Sequence, residues 1–143
     1  MITAKGEKGV NEIKKMRVRD LMQTQVLTIE PTVSLATAAR WMEEMKCSSP
    51  VILPADDSDA YGIVTRKDLL NIMVMETPDD FVSQVGDIMT KPAITVGPAL
   101  SIENCLLLMR STGTRRLPVV EGEQLLGMIS NTDIFNCLVR ENY

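Results

Sequence analysis

The chain states one pattern twice. Val18-Arg-Asp-Leu-Met22 returns as Val85-Gly-Asp-Ile-Met89, 67 residues later. At the same offset Thr28 aligns with Thr95, Pro31 with Pro98, Ser34 with Ser101 and Met42 with Met109. Pro50-Val-Ile then matches Pro118-Val-Val, and Gly62-Ile-Val-Thr-Arg-Lys-Asp68 matches Gly127-Met-Ile-Ser-Asn-Thr-Asp133. A unit of this length is too large for a solenoid turn and too small to bury a comfortable core alone. Two copies are therefore expected to cover each other's apolar faces, and a cleft between related halves is a natural seat for a small ligand. The expected layout is an extension at 1–15, a first repeat at 16–75, a linker at 76–84 and a second repeat at 85–141.

Composition narrows the classes. Of 143 residues 45% are apolar but only 3% aromatic, so the core must come from Leu, Ile, Val, Ala and ten Met. Met fills gaps, and it also suits surfaces that adapt to a ligand. A net charge of −4 argues against nucleic acid, which wants a basic face. No apolar run approaches the roughly 18 residues that span a bilayer, so no membrane insertion is expected. Residues 1–15 carry charges of both signs and no segment like a secretory signal. Cys47, Cys105 and Cys137 are odd in number and far apart, which fits a reducing cytoplasm.

Each copy reads as short helix, strand, helix, strand, strand, helix, an α/β (α+β) pattern. Val26–Ile29 is a short β-favouring run closed by Glu30-Pro31. Ser34 is placed to cap a helix whose apolar stripe is Leu35, Ala38, Ala39, Met42 and Met45. Ile102, Cys105, Leu106 and Met109 repeat that stripe, and Gly113 is placed to stop it in a left-handed conformation. Pro50–Leu53 with Tyr61–Val64, and Leu117–Val120 with Leu125–Ile129, follow as strand pairs. Glu121-Gly-Glu-Gln124 makes a tight hairpin, whereas 54–60 form a longer acidic loop. Helices from Lys67 and from Thr132 close the copies. These closing helices are apolar almost all round, which predicts burial on more than one side and a homodimer joined through helices.

The sequence holds no His, no CxxC pair, no Walker loop and no GxGxxG run, so metal, redox and dinucleotide motifs are missing. No metal is expected to be required, and no catalytic residue is proposed. What recurs is Gly62-x-x-Thr65-x-x-Asp68 and Gly127-x-x-Ser130-x-x-Asp133. Gly near a strand end leaves room for a ligand. A hydroxyl where strand gives way to helix, with a carboxylate three residues on, can face a ligand at the positive helix end. The carboxylate could accept from a ribose diol, and the hydroxyl could meet phosphate. The same spacing also makes a capping box.

Taken together, these motifs resemble the cystathionine-β-synthase (CBS) domain, and two in tandem resemble a CBS pair, or Bateman module, over about residues 16–141. The resemblance implies two βαββα repeats packed by pseudo-twofold symmetry through their sheets. It also implies regulatory binding of AMP, ADP, ATP, S-adenosylmethionine or, less often, NAD-type molecules in two clefts. Without His, enzyme activity is not expected. Residue by residue, it implies Thr65, Asp68, Arg115, Arg116, Asp87, Lys91, Pro92, Ile94 and Thr95 at a first cleft. It implies Ser130, Asp133, Asp20, Thr24, Ser48 and Ser49 at a second. The strands at 26–28 and 93–95 would offer backbone groups to adenine.

Arg66, Lys67, Lys91, Arg115 and Arg116 make the first cleft the better phosphate site, since the second has Asn131, Thr132, Thr24 and serines at matching places. On a strand only one of Arg115 and Arg116 points inward, and Arg116 is favoured. The leading expectation is an adenosyl-sensing module that controls an unknown, separate partner protein by population shift. The alternative is a constitutive dimerisation scaffold with vestigial clefts.

Overall fold

The structure, a computed structural model, describes residues 10–75 and 83–142; most of the expected extension and linker lies outside them. The elements run α1 (Val10–Lys15), α2 (Val18–Leu21), β1 (Thr28–Ile29), α3 (Leu35–Met45), β2 (Val51–Ile52) and β3 (Gly62–Ile63). They continue through α4 (Arg66–Met75), α5 (Val85–Ile88), α6 (Ile102–Thr112), β4 (Arg116–Glu121), β5 (Gln124–Ser130) and α7 (Asn131–Asn142).

Contacts divide the chain into two units, and they do not follow the sequence repeats. One unit is Gln25–Ala93; the other joins the residues through Thr24 to those from Ile94 onward. Each Val-x-Asp turn docks on the stretch preceding the Ser-started helix of the other sequence copy. Val18 and Arg19 donate their N–H groups to Leu100 and Pro98 at 2.8 and 3.0 Å, and Val85 and Gly86 donate to Val33 and Pro31, both at 2.9 Å. Val18 and Val85 are fully buried, so each turn is held by an apolar knob as well as by backbone bonds.

Within Gln25–Ala93, β1 pairs in parallel with β2, and β2 pairs antiparallel with β3. Ile29, Leu35, Ala38, Met42, Ile52, Val64, Leu69 and Val85 form the core beneath. Ser34 Oγ accepts the Thr37 N–H at 3.2 Å and starts α3, as the pattern predicts. That helix ends at Lys46 in a left-handed conformation, φ 52°, without help from glycine.

In the second unit, β4 and β5 form a hairpin whose ends pair Glu121 with Gln124. Gly122 takes φ 62° in the two-residue turn, a conformation that costs glycine little. Ser101 caps α6 through the Asn104 N–H at 3.2 Å, and Gly113 ends it at φ 70°. Val18, Ile102, Cys105, Leu117, Val119 and Ile129 centre this core.

The two short strand expectations need correction. The strand expected at 93–95 is absent; Val96 alone bridges Val119, bonded to Pro118 and Val120 at 3.0 and 2.9 Å, while Ile94 and Thr95 are exposed. Gly97-Pro98 follows at once and ends the ladder, because proline has no N–H to give. The run at 26–28 likewise contracts to Thr28–Ile29. Within the chain the closing helices are covered only in part, as expected. Each packs one face, through Leu69 on α4 and through Ile134 and Cys137 on α7. Val74 and Phe135 remain 70% and 60% exposed. Among the described residues no helix is long and apolar enough to cross a membrane.

Candidate ligand site

Each carboxylate of the repeated motif stands at the head of a closing helix, locked to the hydroxyl residue three positions earlier. Asp68 Oδ2 accepts the Thr65 N–H at 2.8 Å, and Thr65 Oγ1 accepts the Asp68 N–H at 3.1 Å. Asp133 Oδ2 accepts the Ser130 N–H and hydroxyl at 3.0 and 2.8 Å, and Ser130 Oγ accepts the Asp133 N–H at 3.1 Å. Both motifs are therefore reciprocal capping boxes. Capping uses one carboxylate oxygen and leaves the other for a further donor. Among the described residues Asp68 Oδ1 accepts no hydrogen bond. Asp133 Oδ1 accepts from the Gln23 side-chain amide at 3.1 Å.

The two motif glycines serve the chain itself, which corrects the expectation that they clear space for a ligand. A Cβ on Gly62 would sit 2.5 Å from Met89 Sδ, and one on Gly127 would run into the backbone oxygen of Gln23. Gly62 admits Met89 at the end of the Asp-Ile-Met turn, and Gly127 admits Met22 and the Gln23 carbonyl at the end of the Asp-Leu-Met turn. Ile63 and Thr90 exchange both backbone bonds, at 3.0 and 2.9 Å, and Gln23 and Met128 do the same at 2.8 and 2.9 Å.

This docking sorts the remaining candidates. Asp87, Lys91 and Pro92 share a unit with Thr65 and Asp68; Asp20 and Thr24 share one with Ser130 and Asp133. Asp20 and Asp87 each spend a carboxylate oxygen on their own turn, accepting from Arg17 at 2.9 Å and Gln84 at 3.1 Å. Ser48 and Ser49 fall within Gln25–Ala93, where the Ser48 carbonyl accepts the Arg66 N–H at 2.8 Å and Ser49 is buried. Arg115, Arg116, Ile94 and Thr95 fall in the other unit. There Arg115 is exposed, its carbonyl accepting the Asn131 N–H at 3.0 Å, and half-buried Arg116 pairs with Ser130 across the hairpin. Arg66 and Lys67 are exposed, and Arg66 lines a groove of about 790 Å³ between α3 and α4 with Met42, Leu69 and Met73.

Lys91 Nζ lies 2.6 Å from Asp59 Oδ1. The Ala55 N–H, then Lys91 and the Ala60 N–H, hold the Asp59 carboxyl down at about 2. The Ser58 hydroxyl and N–H lower Asp56 beside it. Burial raises the Cys105 thiol, an inert setting rather than a nucleophilic one. Among the described residues no cluster of three His, Cys, Asp or Glu could hold a metal ion. Sequence reasoning missed Gln23 and Asp59. The available signals were that Gln23 stands where the other repeat has Thr90, and that Asp59 lies in a loop the other repeat lacks.

The CBS domain family model matches residues 18–75 and 85–140, and the chain belongs to the CBS domain family. An uncharacterized protein of Methanopyrus kandleri is 31% identical over 125 residues, covering 85% of this chain and 62% of that protein. An inosine-5'-monophosphate dehydrogenase of Korarchaeum cryptofilum is 33% identical over 132 residues, 90% of this chain but 26% of that enzyme. This chain thus spans less than two thirds of either relative. Among solved structures, a hexameric CBS-CP12 protein from bloom-forming cyanobacteria superposes with a TM-score of 0.78 at 34% identity, covering 84% of this chain and 66% of that one. CBSX2 in complex with AMP gives a TM-score of 0.74 at 25% identity, over 87% of this chain and 96% of its own. A CBS domain pair in complex with 5'-methylthioadenosine and S-adenosyl-L-methionine shares the fold, with a TM-score of 0.76 at 19% identity over 89% of this chain and 98% of its own.

Proposed function

We propose that this chain is a non-catalytic regulatory module of a reducing cytoplasm, which binds an adenosyl ligand and controls a separate partner protein. The observation that carries this reading is the state of Asp68. Its carboxylate is half-buried and oriented by the Thr65 N–H, while its second oxygen accepts no bond among the described residues. Pre-orientation lowers the cost of gripping a ribose hydroxyl, and a charge-assisted bond is stronger than a neutral one. The Thr65 hydroxyl, which accepts the Asp68 N–H, keeps its own proton to donate to a neighbouring phosphate at the positive end of α4. Two relatives of the same fold carry AMP, or methylthioadenosine with S-adenosylmethionine, which supports an adenosyl ligand as the class. Regulation then requires that ligand and partner prefer the same conformation.

A thermal-shift screen with AMP, ADP, ATP and S-adenosylmethionine tests this reading, since a ligand bound only by the folded state raises Tm by mass action. At least one should raise it in a concentration-dependent way. No shift with any of them would favour the second reading, a dimerisation scaffold. Each closing helix exposes apolar residues, Leu70, Val74 and Met75 on α4 and Phe135 and Val139 on α7. We assign these surfaces to a homodimer under either reading.

A further inference from the structure

We propose that Gln23 decides which of the two repeated carboxylates accepts ligand, by filling Asp133 from within the chain. This rests on the adenosyl-binding reading. Four observations converge on it. Asp133 has both oxygens engaged, Oδ2 by Ser130 and Oδ1 by Gln23 Nε2 at 3.1 Å. Asp68, in the same capping box, has only Oδ2 engaged among the described residues.

Gln23 is also held where its amide can reach. Its N–H and C=O both bond Met128, at 2.8 and 2.9 Å, and Gly127 is glycine where the Gln23 carbonyl presses in. The donor is therefore delivered by a fixed backbone and loses less entropy than a free side chain would. Thr90 occupies the corresponding position, with the same pair of backbone bonds to Ile63. Its hydroxyl sits on Cβ, two atoms short of the Gln amide, and makes no bond to Asp68. The backbones are alike and the side chains differ, so the difference between the two carboxylates belongs to Gln23.

A ribose diol must displace the Gln23 amide to reach Asp133 and leave that amide to water; at Asp68 it displaces water only. One hydrogen bond of this kind is enough to separate the two affinities by about five- to tenfold. The first repeat's carboxylate is thus open and the second self-occupied.

Calorimetric titration of the full chain with AMP tests the proposal, using wild type, Gln23→Thr and Thr90→Gln. Wild type should bind strongly at one site per chain. Gln23→Thr should gain a second site or tighten a weak one by about five- to tenfold, leaving the first unchanged. Thr90→Gln should weaken the first site by a similar factor. The melting temperature of each variant without AMP confirms that it is folded. Unchanged stoichiometry and affinity in folded Gln23→Thr overturns the proposal. A wild type that binds no AMP, beside a Gln23→Thr variant that does, supports Gln23 as the plug while removing the function assigned to Asp68. Absence of binding in both overturns the role of Gln23 itself.

Discussion

The ammonium of Lys91 rests 2.6 Å from the carboxylate of Asp59, and among the described residues the other unit has no equivalent pair. Position 24, the counterpart of Lys91, is Thr, and a two-residue turn replaces the loop that carries Asp59. The Gln25–Ala93 unit thus pairs a cation from the second repeat with an anion from a loop of the first.

That pair fixes a pH dependence. Folding lowers Asp59 from its ordinary 3.8 to about 2, first through the Ala55 N–H and then through Lys91. Between those values the unfolded chain binds the extra proton, so stability falls as pH falls. The contribution is complete above the unfolded value and lost as pH drops through about 2. Melting curves of wild type and Asp59→Asn should differ above about pH 5 and converge in strong acid. Parallel curves down to the lowest pH would contradict the assignment.

Freeing Lys91 should also alter ligand preference. Asp59→Asn leaves the ammonium unpaired, so affinity for ADP should rise several-fold more than affinity for adenosine, and the gain should shrink with added salt. Equal changes for both ligands would place Lys91 away from the phosphate.

The glycines give a sharp stability contrast. An alanine methyl at 127 meets the fixed carbonyl of Gln23, whereas at 62 it meets the movable thioether of Met89. Gly127→Ala should cost about 1–3 kcal/mol, and Gly62→Ala under about 1 kcal/mol, because only the second neighbour can turn aside. Urea unfolding measures both. The reverse order would show that these close contacts do not govern the positions.

The assembly prediction concerns α4. Leu70 and Val74 are 54% and 70% exposed, so charging them should leave the fold intact. Leu70→Glu with Val74→Glu should turn a dimer into a monomer by light scattering without a fall in secondary structure. A double variant that remains dimeric would move the interface elsewhere.

Much of this was legible in the residues. Ser34 and Ser101 marked helix starts because a hydroxyl at that spacing satisfies an otherwise unpaired N–H, and Gly113 marked a stop because a left-handed residue favours glycine. The strands were less legible: Val96 stands alone, since one residue between Thr95 and Gly97-Pro98 leaves no alternation to read. The motif glycines were misread because a missing side chain does not say whose atoms fill its place. The open faces of α4 and α7 were legible, because helices apolar almost all round have more surface than one chain can cover. Gln23 and Asp59 were marked only as departures from the repeat, and their roles were not legible for another reason. Each acts on a partner far along the chain, Asp133 or Lys91, and local spacing carries no trace of such a pairing.

The central claim is that Asp68 holds a ligand as well as a helix cap. Calorimetric titration of AMP, ADP, ATP and S-adenosylmethionine into wild type, Asp68→Ala and Asp133→Ala tests it most directly. Both variants lose a cap and should lose about 1 kcal/mol of stability. Only Asp68→Ala should weaken the tightest-bound ligand by about tenfold or more, the loss expected for a charged hydrogen bond. Wild-type affinity in folded Asp68→Ala would contradict the account and leave Asp68 a helix cap alone.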